Sequence, residues 1–304
     1  MSALLILSML VQDLKLTVST GATDATIGDL VQVEVHVVNG GADPVTLPAL
    51  TFDERSLSFK VTTDGGTYEY SRLQGHPLTA KRLDLESVTL AAGKEMVGCF
   101  HVPALTAGSL KIKGILAHGE APIESDGEIS LTVKAAADGG RLAAVVATEM
   151  GTFTIELATD TAPRNVSHFV SLVERRFYDG MIFHAIVRDK WMTTGCPFGK
   201  GTGGPDYAVL GEIPEANPPA HVKGTVSLSG FGIRDVKDYT GSQFFVCMRE
   251  LPAFDGNYTV IGHVKSDADH NVLYDISQKG GSDARTIRPT AEIRVNSITI
   301  KAVP

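Results

Sequence analysis

The sequence predicts a mainly β protein in two parts, an antiparallel β-sandwich followed by a second β-rich domain that also carries helices. Three observations predict it. Apolar and polar residues alternate with a period of two through most of the first 134 positions, with no helical period. Turns rich in Gly, Pro and Asp separate the alternating runs at short intervals, as in sandwich domains. A small-residue stretch, Ala135-Ala136-Ala137-Asp138-Gly139-Gly140, then reads as a linker. The domains are therefore placed at 13–134 and 141–304, with 135–140 between them. At 304 residues each part is large enough to bury its own core.

Composition removes several function classes. A hydrophobic content of 43% describes a globular chain, and a net charge of −8 without any Lys/Arg stripe argues against a nucleic-acid surface. The densest basic group, Arg175-Arg176, stands near a helix end, where cations suit the dipole. Cys99, Cys196 and Cys247 are odd in number and lack CxxC spacing, so neither a disulfide framework nor a zinc site is expected. Cys247 reads as a small buried hydrophobe, and burial is also the plainer reading of Cys196.

Residues 1–12 form an apolar leader too short to span a bilayer. Its length is that of a signal-peptide core, but it lacks a basic flank and an Ala-x-Ala site. Three readings stay open: an export signal, a buried first strand, or a frayed tail. The first places the protein in the periplasm or outside the cell; the alternative is the cytoplasm.

The sandwich follows. Leu14, Leu16 and Val18 alternate with polar residues, and Val31, Val33, Val35 and Val37 alternate with Gln32, Glu34 and His36, the clearest half-buried strand in the chain. Asn39-Gly40-Gly41 ends it as a turn. Further strands are expected at 57–62, 67–71, 87–90, 95–101, 110–117 and 128–134, with turns at Asp64-Gly65-Gly66, Ala92-Gly93 and Asp126-Gly127. The stretch 28–44 is similar to the opening strands of bacterial immunoglobulin-like modules. His36, His76, His101 and His118 share no ligand spacing, so the sandwich carries no chemistry of its own. It reads as a spacer, a docking module or a surface for an unidentified protein partner.

In the second domain, 142–149 and 151–157 are strands about a Met150-Gly151 turn. Asp160 or Thr161 is placed to cap a helix that Pro163 opens, with Val166, Phe169, Val170 and Val173 on its buried face. Gly199-Lys200-Gly201-Thr202-Gly203-Gly204 invites a phosphate-loop reading. A phosphate loop must run into a helix N-terminus, and Pro205-Asp206 does not begin one.

Several spaced blocks then carry a resemblance. They are Gly151-Thr152-Phe153-Thr154-Ile155-Glu156-Leu157, Ala162-Pro163, Asn165 with Phe169, Phe177-Tyr178-Asp179-Gly180 and Phe183-His184. Gly201-Thr202-Gly203-Gly204, Gly241-Ser242-Gln243-Phe244-Phe245, Phe254-Asp255-Gly256 and Val260-Ile261-Gly262-His263-Val264 continue them. In this order, over a little more than half the chain, they resemble the cyclophilin family of peptidyl-prolyl isomerases. The resemblance implies an eight-stranded closed β-barrel with two helices over its ends, the second helix around Leu273-Tyr274-Asp275-Ile276 and the closing strands in 291–300. It implies catalysis at X–Pro bonds of proline-containing peptides or unfolded proteins, with no cofactor and no metal.

The family's pattern also assigns places. A proline slot is implied at Trp191, Met192 and Phe245, bordered by Phe254 and by Tyr258, which stands where a histidine is usual. Gln243 would bond the substrate backbone, and Ser229 and Gly230 fall where an extended substrate-binding loop runs. Ala185 stands where the catalytic arginine follows the Phe-His pair, Thr194 where a second glutamine is expected, and Ala253 where a tryptophan is common. Relative to the pattern, one extra residue is counted in Arg188-Asp189-Lys190, which would re-aim Arg188 or Lys190; a solvated turn charge is the plainer reading, and Arg234 is a more distant candidate. Two functions follow: an isomerase of reduced activity assisting folding at X–Pro bonds, or a catalytically silent proline-peptide binding or scaffold module. An inert structural domain, binding no peptide, is the third reading.

Overall fold

The structure is a computed structural model and describes residues 14–52, 55–71, 73–74, 86–119, 121–135, 140–205, 207–230, 239–281 and 287–304. The apolar leader 1–12, His76, Arg234 and most of the 135–140 linker lie outside these residues.

The first half is strand throughout: β1 (Leu14–Ser19), β2 (Asp24–Thr26), β3 (Leu30–Asn39), β4 (Val45–Pro48), β5 (Leu57–Thr63), β6 (Gly66–Tyr70), β7 (Leu73–Gln74), β8 (Ser87–Leu90), β9 (Glu95–Pro103), β10 (Gly108–Leu116), β11 (Ile123–Glu124) and β12 (Ile129–Lys134). They pair as β1-β3-β9, as β2-β12-β10-β5-β6 with β11 beside β10, and as β4-β8. Pairing is antiparallel except between β2 and β12. Alternation in β3 works as expected: Val31, Val33, Val35 and Val37 are buried while Gln32 and Glu34 face water. The strands that alternation does not announce are β2, β4, β7 and β11, each too short to display a period.

The second half is one curled sheet built from β13 (Arg141–Thr148), β14 (Gly151–Leu157), β15 (Ala185–Val187), β16 (Trp191–Thr194), β17 (Tyr207–Leu210), β18 (Thr225–Gly230), β19 (Tyr239–Cys247), β20 (Val260–His263) and β21 (Val295–Val303). Eight strands follow one another in the order β15-β16-β19-β18-β20-β14-β13-β21, with β17 added to β19 and β7 added to β17. Residues before β15 meet the approach to β21 through Phe183 N–H to Ile293 O (3.0 Å) and Val295 N–H to Met181 O (2.8 Å). Two helices accompany the sheet, α1 (Pro163–Glu174) and α2 (Asp267–Ser277).

Helix α1 corrects the expected cap. Its N-cap is Ala162, which has no side chain to donate or accept. The Glu212 carboxylate does the work from across the fold, accepting Arg164 N–H (3.1 Å) and Asn165 N–H (2.7 Å). Phe169 on this helix packs edge-on against Phe244 of β19, and His168 bonds Gly241 O at 3.0 Å, so α1 fixes the strand that carries the site. The helix also receives the first half of the chain. Tyr68 meets the Ser167 hydroxyl (3.3 Å), Tyr70 donates to Ser167 O (3.4 Å) and Arg164 Nε donates to Glu69 O (2.7 Å). The two-residue strand β7 pairs with β17, so it alone among the N-terminal strands joins the C-terminal sheet.

Candidate active site

Strand register decides which side chains share a face. Ala185 lies opposite Thr193, Ile186 opposite Met192 and Val187 opposite Trp191. Across the next ladder Thr193 lies opposite Phe245, and Phe245 in turn opposite Ser227 of β18. Because side chains alternate, Ala185, Trp191, Thr193, Gln243 and Phe245 project to one face and Ile186, Met192, Thr194, Phe244 and Val246 to the other.

Two expected site residues are corrected by this register. Met192 is fully buried in the apolar core and is no wall of a proline slot. Thr194 is also fully buried, with its hydroxyl donating to Ile182 O at 3.0 Å. Arg188-Asp189-Lys190 is a tight three-residue hairpin loop between paired Val187 and Trp191, with Asp189 left-handed at φ 57°. By register, Thr193 and Trp191, not Thr194 and Met192, share the face of Phe245. After β16, Gly195 turns the chain at φ 86°, where any Cβ would lie 2.4 Å from Ser242 O.

Phe245 stands at the centre of an aromatic cluster. Phe254 meets its ring edge-on at 5.5 Å and Tyr258 at 5.0 Å, and the His221 imidazole stacks on it at 5.9 Å with an interplanar angle of 18°. Phe254 and Tyr258 are half-buried, while Phe245 is only 4% exposed. The cluster is an apolar seat with two rings open at its rim. Ala253, beside it in the short turn Pro252–Phe254, is exposed.

His221 and Asp255 are functional candidates that sequence reasoning left without a role. Asp255 Oδ1 accepts both the backbone N–H (2.7 Å) and Nδ1–H (2.9 Å) of His221, so His221 Nε2 accepts from the Ser227 hydroxyl at 2.9 Å. The contact joins residues 34 positions apart, and no local spacing signals it. The available signal was Phe254-Asp255-Gly256 as a block: an acid between an aromatic and a glycine in a turn over the sheet. Serine, histidine and aspartate in this array resemble a hydrolytic triad, but Ser227 has no exposed surface and no substrate can reach it. The array holds Phe245 from behind.

Gln243 does not extend free toward a substrate. Its amide donates to Gly201 O (3.0 Å) and Gly203 O (2.9 Å), and it also bonds the His184 side chain. This fastens the glycine-rich loop 199–204 to the site face. The loop runs into strand β17, not into a helix, which removes the phosphate-loop reading. Cys196 is buried under it with Sγ accepting Gly203 N–H at 3.3 Å. Burial pushes this thiol up, but N–H groups of Lys200, Gly203, Phe198 and Gly201 outweigh that and bring it below its ordinary value. Cys247, on the site strand, is pushed up to about 12 by burial, as an inert core thiol.

The remaining candidates fall outside the seat or at its margin. Arg188 donates through Nη2 to Gln278 O (3.3 Å) and Gly280 O (3.1 Å), closing the C-terminal end of α2. These bonds commit its guanidinium to α2. Ser229 and Gly230 end β18 at a register shift, half-buried, with Gly230 opposite Thr240. No cluster of His, Cys, Asp and Glu able to hold a metal occurs among the described residues.

The histidines give a pH prediction. Burial holds His184, His221, His263 and His270 below the ordinary value of 6.5. The unfolded chain therefore binds protons before the native one does, and stability present above 6.5 is lost as pH falls below it. Asp255, held below 3.8 first by the His221 N–H, loses its contribution only in stronger acid. Melting temperature is expected to fall between neutral pH and about pH 5, and His221→Gln to reduce that slope. A melting temperature that is flat or rises over this interval contradicts the assignment.

With the geometry in place, comparisons with known proteins are informative. Residues 143–300 match the family model described as cyclophilin type peptidyl-prolyl cis-trans isomerase/CLD. A peptidyl-prolyl cis-trans isomerase of Helicobacter pylori is 39% identical over 135 residues, covering 44% of this chain and 80% of that protein. Peptidyl-prolyl cis-trans isomerase B of Bacillus subtilis is 40% identical over 111 residues, covering 36% of this chain and 74% of that one. Among solved structures, a cyclophilin type peptidyl-prolyl cis-trans isomerase of Cryptosporidium parvum aligns over 54% of this chain and 99% of its own, at 24% identity and a TM-score of 0.48.

Proposed function

This chain belongs to the cyclophilin-type peptidyl-prolyl cis-trans isomerase family, and from that premise we propose that it binds X–Pro segments of peptides or unfolded proteins and isomerises them with reduced activity. Rotation about an X–Pro bond meets a barrier of about 20 kcal/mol from amide resonance, while the two isomers differ by about 1 kcal/mol or less. A catalyst has only to favour the twisted amide. It needs a seat for the ring, contacts to the flanking peptide, and a donor to the nitrogen as its lone pair returns.

The seat in this reading is Phe245 with Phe254 and Tyr258, walled on the neighbouring strand by Trp191. Ser229 and Gly230 would line the path of the substrate backbone at the end of β18. The observation that carries reduced activity is Ala185, which lies across from Thr193 beside Phe245 and offers no donor. A charge-assisted bond made only in the transition state is worth about 3 kcal/mol, or roughly a hundredfold in rate. Its loss slows turnover and leaves the seat intact.

A second reading, a proline-peptide receptor or scaffold without turnover, is favoured by Gln243, whose amide N–H groups are already bonded to Gly201 O and Gly203 O. NMR exchange spectroscopy on an Ala-Pro peptide separates the two. Enhanced cis–trans exchange at substoichiometric protein supports the isomerase. Shift perturbation without enhanced exchange supports the receptor, and neither effect removes both. Residues 13–134 are proposed as a domain docked on 141–304 through β6 and β7, and as the part that a further protein partner would meet.

A further inference from the structure

Among the described residues Phe198 is an outlier, an aromatic side chain 68% exposed on a loop that is otherwise held down. The loop's restraint is visible on three sides. Gln243 Nε2 bonds Gly201 O and Gly203 O, Gly203 N–H bonds the buried Cys196 sulfur, and Gly199 N–H bonds Cys196 O at 3.0 Å. The Phe198 ring lies on the backbone of Gly203: a Cβ at that position would stand 2.7 Å from its Cδ2. A glycine at 203 thus makes room for the ring, and the ring presents its remaining surface to solvent.

Its position follows from these contacts. Gln243 and Phe245 are alternate residues on β19 and project to one face. Gln243 bonds Gly203, and Gly203 carries the Phe198 ring. A chain of contacts therefore links the face of Phe245, through Gln243 and the Gly203 backbone, to an exposed phenyl ring. Alternate residues on a strand are about 7 Å apart, so the ring lies within reach of a peptide residue about two to four positions from a seated proline.

We propose that Phe198 is a specificity-determining residue of this site, forming an apolar subsite for a leucine, methionine or aromatic side chain that flanks the proline of a bound peptide. The proposal rests on the proline-binding reading above. A preordered ring loses little freedom on contact, so the gain from covering it is not consumed by ordering the loop. An apolar partner is favoured because the ring carries no hydrogen-bonding group, and covering both apolar surfaces removes them from water.

The test is an NMR titration of the full chain with two families of peptides. One is an all-alanine peptide with a single central proline; the other carries one leucine, moved through the four positions on either side. Wild type is expected to bind one leucine register about five- to tenfold more tightly than the alanine peptide. Phe198→Ala is expected to erase that preference while its affinity for the alanine peptide stays unchanged, and Phe198→Leu to keep part of it. Gly203→Ala, which displaces the ring without removing it, is expected to weaken the preference as well. A wild type that shows no preferred register, or a Phe198→Ala variant that keeps one, overturns the subsite while leaving the proline seat standing. Failure of wild type to bind any proline peptide, with Phe245→Ala behaving identically, overturns the seat itself and the subsite with it.

Discussion

Phe245→Ala is expected to abolish binding of proline peptides and to lower the stability of the fold by about 5 kcal/mol. The ring is 4% exposed and makes close contacts with His221, Phe254 and Tyr258, so its removal leaves a cavity that three neighbours surround. Those neighbours are anchored elsewhere. His221 is bonded at both ring nitrogens, and Phe254 sits in a turn fixed by Asp255. They cannot easily collapse into the space, which places the cost toward the upper part of the range for aromatic truncations. Denaturant unfolding gives the stability change and peptide titration the binding change. Should Phe245→Ala prove too unstable, Phe254→Ala trims a half-buried ring of the same seat at lower structural cost and is expected to weaken binding about tenfold. Wild-type peptide affinity in either folded variant would remove the seat from this face.

Ala185→Arg is expected to act in the opposite direction, raising kcat/KM for an X–Pro peptide about a hundredfold with little change in KM. Position 185 is paired with Thr193 and through it faces Phe245, so a guanidinium there starts from the strand beside the seat. Among the described residues Asp255, the acid beside the aromatic cluster, is already engaged by His221. Adding Thr193→Gln places a second polar group beside Phe245, and the double variant is expected to exceed the single one. The measurement is exchange NMR on the same peptide for each variant. Wild-type turnover equal to that of Ala185→Arg means that another donor already serves the twisted amide. In that case reduced activity is abandoned and the seat is kept.

Much of this molecule is legible in its sequence because period-two alternation is a direct imprint of burial. The valines of β3, the strands near 57–62, 95–101 and 110–117, and the helix opened by Pro163 could all be read from it. The ordered blocks from Gly151 to Val264 carried the eight-strand path and the family, since each block is a turn or a buried face that the barrel needs. Phe245 and Phe254 were also within reach, as aromatics in those blocks, and Tyr258 through the place the resemblance gives it.

Register was not. A slip of one residue exchanges the two faces of a strand, and the register puts Thr193 and Trp191, not Thr194 and Met192, on the face of Phe245. Only the ladder to Phe245 fixes it. The rest was decided by contacts between residues far apart in the chain. Glu212 caps α1, Asp255 holds His221, Gln243 ties down the glycine loop, and Arg188 turns to α2. Tyr68 and Tyr70 bring the N-terminal strands onto α1 in the same way. A side chain's own sequence neighbourhood states its preference for strand, helix or interior. Which polar group it will meet depends on where the completed sheet places both partners, and that information exists only once the chain has folded.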